Sequence, residues 1–114
     1  MTDWFFRLSD VAAELPEDPS TLRFHYALRR GTMKFGLYAP RGVDTQSPHL
    51  QDELYVVVSG CGMFMKGGER VPFKPHDVIF VEAGMDHRFL DFSEDFSCWV
   101  IFWGPEGGEA GAVE

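Results

Sequence analysis

The sequence predicts an all-β domain, a barrel or two-sheet sandwich with one short N-terminal helix. Three observations carry this. Around nine or ten short segments show either strict apolar–polar alternation or a short, uniformly apolar run. Gly, Pro, Asp and Ser turn chemistry separates them at regular intervals. Only one stretch, near the N-terminus, has helical periodicity.

The elements follow in order. Residues 1–21 form an N-terminal segment in which Ser9 or Asp10 can cap a short helix over 10–15, with Val11 and Leu15 on one face and Pro16 ending it. Leu22, Phe24, Tyr26 and Leu28 then alternate with Arg23, His25, Ala27 and Arg29, the period of a half-buried strand. After a turn at Arg30-Gly31-Thr32, Met33, Phe35 and Leu37 alternate with Lys34 and Tyr38, completing a hairpin. A polar loop follows Pro40. Residues 54–58 are apolar on both faces, as in a strand covered on both sides. Residues 63–66 and 69–73 flank Gly67-Gly68 as a second hairpin, 78–81 form a buried strand, 87–92 another, and 96–103 the last. Gly and Glu dominate the end of the chain, so 105–114 read as a flexible tail on a single domain spanning 1–114 with its core at about 22–104.

Composition narrows the function. With 45% hydrophobic residues, 11 Phe among them, the chain can fill a core and line a pocket. A net charge of −8 repels phosphate backbones, which argues against nucleic-acid binding. No apolar run is long enough to span a bilayer, and the Met-Thr-Asp-Trp start lacks the basic and apolar regions of a secretory signal, so the expectation is a cytoplasmic protein with no membrane partner. Cys61 and Cys98, isolated in sequence, read as buried, reduced core residues.

The chemistry concentrates in two clusters. In the first, 47–60, Ser47, His49, Gln51 and Glu53 share a parity and point one way if the chain there is extended. In the second, 82–87, His87 follows a glycine turn at the mouth of a strand. Imidazole nitrogen and carboxylate oxygen together suit a divalent ion such as Zn, Fe, Mn or Ni, and two His with one Glu leave open positions for water or substrate. Asp91 shares the parity of His87 and Phe89 and, with Tyr55, is a candidate proton carrier. Phe24, Tyr26, Met33, Phe35, Leu37, Tyr55, Val57 and Phe89 are the inward-facing candidates for a substrate pocket. His25 and His76 read as exposed, and Asp52 and Asp86 as solvated neighbours of the ligands. The apolar face of Leu54, Val56 and Val58 needs a cover, and a second copy of the chain in a two-fold homodimer is the simplest one.

The order of these features resembles the cupin superfamily. Its first motif runs from a glycine through His-x-His to Glu and, six residues on, Gly; here Glu53 is followed after six residues by Gly60, His49 stands at the second histidine, and Ser47 stands where the first should be. In the second motif Gly84 and His87 match, while His76, Glu82 and Asp91 replace a glycine, a proline and an asparagine. The resemblance spans about 22–104. It implies a cupin double-stranded β-helix, or jelly-roll barrel, with His49, Glu53 and His87 as metal ligands; in place of the missing histidine, either water or Gln51, which shares the parity of His49 and Glu53, completes the shell. The stretches 36–42, 47–60 and 102–108 look like small cupins described as polyketide synthesis or cyclase-like proteins. That likeness implies cyclase, isomerase or oxygenase-type chemistry on a small aromatic or polyketide-like molecule. The alternative is a non-catalytic cupin that binds or senses a small molecule.

Overall fold

The structure, a computed structural model, describes residues 3–110. Among them are one helix, α1 (Leu8–Ala12), and eight strands, fewer than the nine or ten expected: β1 (Phe24–Arg30), β2 (Met33–Tyr38), β3 (Asp52–Ser59), β4 (Gly62–Lys66), β5 (Glu69–Phe73), β6 (Val78–Val81), β7 (His87–Leu90) and β8 (Ser97–Trp103). They form a five-stranded sheet in the order β1-β2-β8-β3-β6 facing a three-stranded sheet in the order β5-β4-β7. Every pairing is antiparallel. This is the jelly-roll architecture that the strand pattern and the family resemblance imply.

Register decides which side chains face inward. Glu53 pairs with Phe102 and Val81, Tyr55 with Val100 and Ile79, and Val57 with Cys98. Directly opposed residues share a face, so the inner surface carries Glu53, Tyr55 and Val57 beside Phe102, Val100 and Cys98. From the smaller sheet come Phe64, Phe73 and Phe89. The Phe89 ring lies 4.6–5.5 Å from those of Phe96, Phe64, Tyr55 and Phe73, in edge and tilted contacts. The barrel below the metal-ligating candidates is therefore filled with aromatic side chains. Tyr55, Val57 and Phe89 are sealed inside it rather than lining an open cavity, with Phe24 and Tyr26 packed at its margin.

The β2 strand faces the other way from its predicted orientation. Tyr38 pairs with inward Cys98 and joins the barrel core, whereas Leu37 lies in a second cluster with Val11, Leu15 and Ala39. Phe35 stacks on Phe6 and Trp99, and Met33 is exposed. Alternation alone put the more hydrophobic set inside. The N-terminal segment supplies a second apolar layer on the outer face of the sheet, so both parities of β2 are buried. Met33, Phe35 and Leu37 thus do not line the barrel.

Smaller differences have similar local causes. The helix starts at Leu8, ahead of the predicted caps, and Arg7 at its N-cap makes no side-chain cap bond; the Asp10 and Val11 N–H groups bond instead to the Arg7 carbonyl. Val11 and Leu15 are buried as expected. The β4–β5 turn needs left-handed backbone at Gly67 (φ 59°) and Gly68 (φ 108°), which only glycine adopts without strain. His25 is half-buried, and His76 lies exposed in its turn. Cys98 is buried, but Cys61 is exposed in the β3–β4 turn. The end of the chain is tied down through residue 109: the Gly107 N–H donates to the Leu50 carbonyl (2.7 Å) and the Glu109 N–H to Asp52 (2.9 Å). The rest of the predicted flexible tail, 111–114, lies outside the described residues. No helix among the described residues is long and apolar enough to cross a membrane.

Candidate metal centre

Three elements converge at one end of the barrel. Glu53 is the second residue of β3 and points inward because its partners Phe102 and Val81 do. His87 opens β7 on the facing sheet. His49 comes from the loop before β3, whose backbone is fixed by the Gly84 N–H donating to the His49 carbonyl (2.8 Å). That bond ties the first histidine loop to the turn that carries the second. The ligand atoms of His49, Glu53 and His87 all lie within 4.8 Å of one another.

The electrostatics of this group are unusual for an interior. Glu53 is 1% exposed, yet among the described residues neither carboxylate oxygen has a hydrogen-bond partner. His87 Nε2 lies 3.0 Å from Glu53 Oε1 and His49 Nε2 lies 3.8 Å from it, but neither contact is directed as a hydrogen bond. A buried carboxylate without donors costs several kcal/mol unless a cation compensates it. Burial pushes His87 down, but the Glu53 carboxylate and the Met85 carbonyl more than offset this and leave its pKa raised. For His49, burial prevails, and His87 adds to it, so its pKa is lowered. Glu53 raises both imidazoles, but only at His87 is burial outweighed.

The donor set fits a divalent ion. His87 Nδ1 lies 2.8 Å from the Met85 carbonyl, which can only accept, so that nitrogen carries the proton and Nε2 is left as the lone-pair donor facing Glu53. Two imidazole nitrogens and one carboxylate oxygen suit Zn, Fe, Mn or Ni. The orphaned Glu53 carboxylate is the observation that such an ion would explain.

Around this group the structure redistributes the predicted roles. The loop before β3 is not extended, so the shared parity of 47–53 breaks. Ser47 is exposed. Gln51 turns away from the ligands and donates to the Thr32 and Gly104 carbonyls (2.8 and 2.9 Å). Asp91 is exposed in a left-handed turn (φ 50°) just past the end of β7, too late to follow the inward parity of His87 and Phe89. Asp86 is exposed. Asp52 is buried, because the end of the chain folds over the outer face of β3; it accepts the Ala83 and Glu109 N–H groups (2.9 Å each) and so staples the turn preceding His87. Tyr55 does reach the site: its hydroxyl lies 3.0 Å from His87 Nε2 and 3.1 Å from Gln46 Oε1. Burial and then the Glu53 charge hold the Tyr55 hydroxyl well above the usual tyrosine range, so it stays a donor.

Two residues outside the predicted set complete the surroundings. Asp44, 0% exposed, accepts from the Tyr38 hydroxyl (2.6 Å), the Gln46 N–H (3.1 Å) and side-chain amide (2.9 Å), and the Phe89 N–H (2.9 Å). Gln46 in turn presents its amide oxygen 3.1 Å from both His49 Nε2 and the Tyr55 hydroxyl. The polar run 43–46 reads as a solvated loop, and the signal available in sequence was an acidic and an amide residue ahead of the first ligand. Outside, a cleft of about 510 Å³ opens onto His49, lined by Tyr26, Lys34, Gln51, Phe102 and Gly104 among others.

A two-sheet β-barrel thus carries at one end a His–Glu–His group that could hold a metal ion. The Cupin domain family matches the chain over residues 35–102, more than half of its length, and the chain belongs to that family. It is 40% identical over 104 residues to an uncharacterised protein of Streptomyces coelicolor, covering 89% of this chain and 96% of that relative. Among solved structures it is similar to KdgF from a Halomonas species, with a TM-score of 0.71 at 16% identity over 87% of this chain and 93% of that one. It is also similar to a Cupin 2 conserved barrel domain protein from Salinispora arenicola, with a TM-score of 0.64 at 20% identity over 81% and 82% of the two chains. At these identities the solved structures speak for the fold alone.

Proposed function

We propose that this cupin binds one divalent metal ion through His49, Glu53 and His87 and acts on a small aromatic or polyketide-like molecule that enters by the cleft above His49. The buried Glu53 carboxylate with no hydrogen-bond donor is the observation that carries the reading. An ion held there supplies Lewis acidity toward a carbonyl or enolate oxygen. The chain's own residues then have separate tasks. Phe102 and Tyr26 offer aromatic surface in the cleft, and the Lys34 ammonium, 5.4 Å from the Phe102 ring centre, favours an acidic ligand. The aromatic filling behind Tyr55 excludes water from below. The protonated Tyr55 hydroxyl donates a hydrogen bond into the site.

Metal analysis of protein purified without added metal tests the first half. Wild type should carry about one ion per chain and a His49→Ala, His87→Ala double variant none; equal contents would overturn the reading. For the second half, a simple 1,3-dicarbonyl such as acetylacetone should perturb the visible spectrum of the cobalt-loaded protein, and Lys34→Glu should weaken that response.

A non-catalytic binding or sensing role is the second reading. It is favoured by the exposed position of Asp91, which leaves Glu53 as the one carboxylate of the described residues in the ligand group. It predicts thermal stabilisation by a bound ligand with no turnover. The expected partner is a second copy of the chain. The outer face of the large sheet exposes Val78 (61%) and Phe80 (46%) next to half-buried Leu54, Val56, Ile101 and Trp103. Sedimentation should show a dimer that Phe80→Glu dissociates; a monomeric wild type would remove this part.

A further inference from the structure

We propose that Gln46 completes the metal centre, its side-chain amide oxygen serving as the fourth protein ligand in place of the histidine that the first motif lacks at Ser47. The inference rests on the metal-binding reading above and adds a ligand to it.

Orientation comes first. An amide can present either its oxygen or its nitrogen. The Gln46 Nε2 group donates to Asp44 Oδ2 (2.9 Å), and a carboxylate there can only accept. The oxygen is therefore the atom turned toward His49 and Tyr55. Asp44 is fully buried and held by three other donors, so it fixes the amide rather than following it. A carboxylate behind the amide also increases the electron density on the oxygen, as an outer carboxylate does for a ligating histidine.

Spacing comes second. Ligand atoms at right angles, each about 2.1 Å from an ion, lie about 3 Å apart. Gln46 Oε1 is 3.1 Å from His49 Nε2, and His87 Nε2 is 3.0 Å from Glu53 Oε1. The amide oxygen thus stands one ligand edge from His49, a contact that without an ion is a hydrogen bond from His49 Nε2 and that an ion would replace. Residues at the two predicted positions do not compete for this place: Ser47 is exposed, and Gln51 is engaged with the Thr32 and Gly104 carbonyls. A hard oxygen donor beside two imidazoles and a carboxylate suits Mn, Fe, Ni or Zn.

The test uses the full chain stripped of metal with a chelator and titrated with Mn²⁺, free ion being followed by its electron paramagnetic resonance. Gln46→Ala and Gln46→Met, the latter keeping the side-chain length without an oxygen, should each weaken Mn²⁺ binding about 10- to 100-fold. Ser47→Ala and Gln51→Ala should leave it within about twofold. Loading with Co²⁺ should give visible spectra that differ between wild type and the Gln46 variants. If both Gln46 variants bind Mn²⁺ as tightly as wild type with an unchanged cobalt spectrum, while His49→Ala, His87→Ala abolishes binding, Gln46 is not a ligand and the three-residue site stands. If wild type binds no better than that double variant, both fall.

Discussion

Two carboxylates lie sealed in the interior, Asp44 at 0% exposure and Glu53 at 1%, and their surroundings are opposite. Asp44 sits in the loop before β3 and accepts four hydrogen bonds, from the Tyr38 hydroxyl, both nitrogens of Gln46 and the Phe89 N–H. Glu53, on β3 itself, accepts none among the described residues, with only imidazole nitrogens in reach. A charge that a fold buries for its own stability is surrounded by donors. One left without donors is held in place by packing and looks outward for a partner. Asp44 thus stabilises the loop, whereas Glu53 faces only the two imidazoles and is free to take a cation.

That contrast makes its strongest prediction in the metal-free protein. Asp44→Ala leaves four donors without their acceptor and should cost about 3 kcal/mol, a fall of roughly 10 °C or more in melting temperature by calorimetry. Glu53→Gln in the same metal-free protein should leave stability unchanged or raise it, because no donor loses its partner and an uncompensated buried charge is removed. A Glu53→Gln penalty as large as that of Asp44→Ala would erase the distinction.

Acidity sharpens the contrast further. A metal ligand must be neutral imidazole, so a proton and the ion compete for His87. Because the His87 pKa is raised, that competition extends above the ordinary histidine value of about 6.5. Metal affinity should therefore rise with pH through that range, with one proton released per ion bound. The His49 pKa is lowered, so its proton should compete only at lower pH. Calorimetric titrations in buffers of different ionisation enthalpy count the protons, and an affinity flat across pH 6 to 8 would contradict the assignment of His87. The smallest effect should come from Gln51→Ala. Loss of its bonds to the Thr32 and Gly104 carbonyls should cost about 1 kcal/mol of stability and leave metal affinity unchanged.

The sequence carried the fold well because its signals are local. Alternation, turn glycines and the spacing from Glu53 to Gly60 each act over a few residues, and β3 to β8 lie where those signals put them to within a few residues. The same spacing pointed to His49, Glu53 and His87, which the fold does bring together. What the sequence hid depends on distant contacts. The inward face of β2 is decided by Phe6, Val11 and Leu15 covering the other face, and alternation says nothing of that. Gln46 rather than Gln51 faces the site because the loop is bent and Asp44, far from obvious as a buried residue, holds it there. Asp52 looked solvated until the end of the chain folded onto it. Parity holds within a strand and fails in the loop that precedes one.

Whether Glu53 is buried to hold a cation is settled by one comparison. Metal-free wild type and Glu53→Gln would be titrated with Zn²⁺ in the calorimeter, and the melting temperature of each read with and without the ion. Wild type should bind one ion per chain and melt at a higher temperature when loaded, while Glu53→Gln should lose more than about a hundredfold in affinity and most of that stabilisation. Equal affinity and equal stabilisation in the two proteins would contradict it.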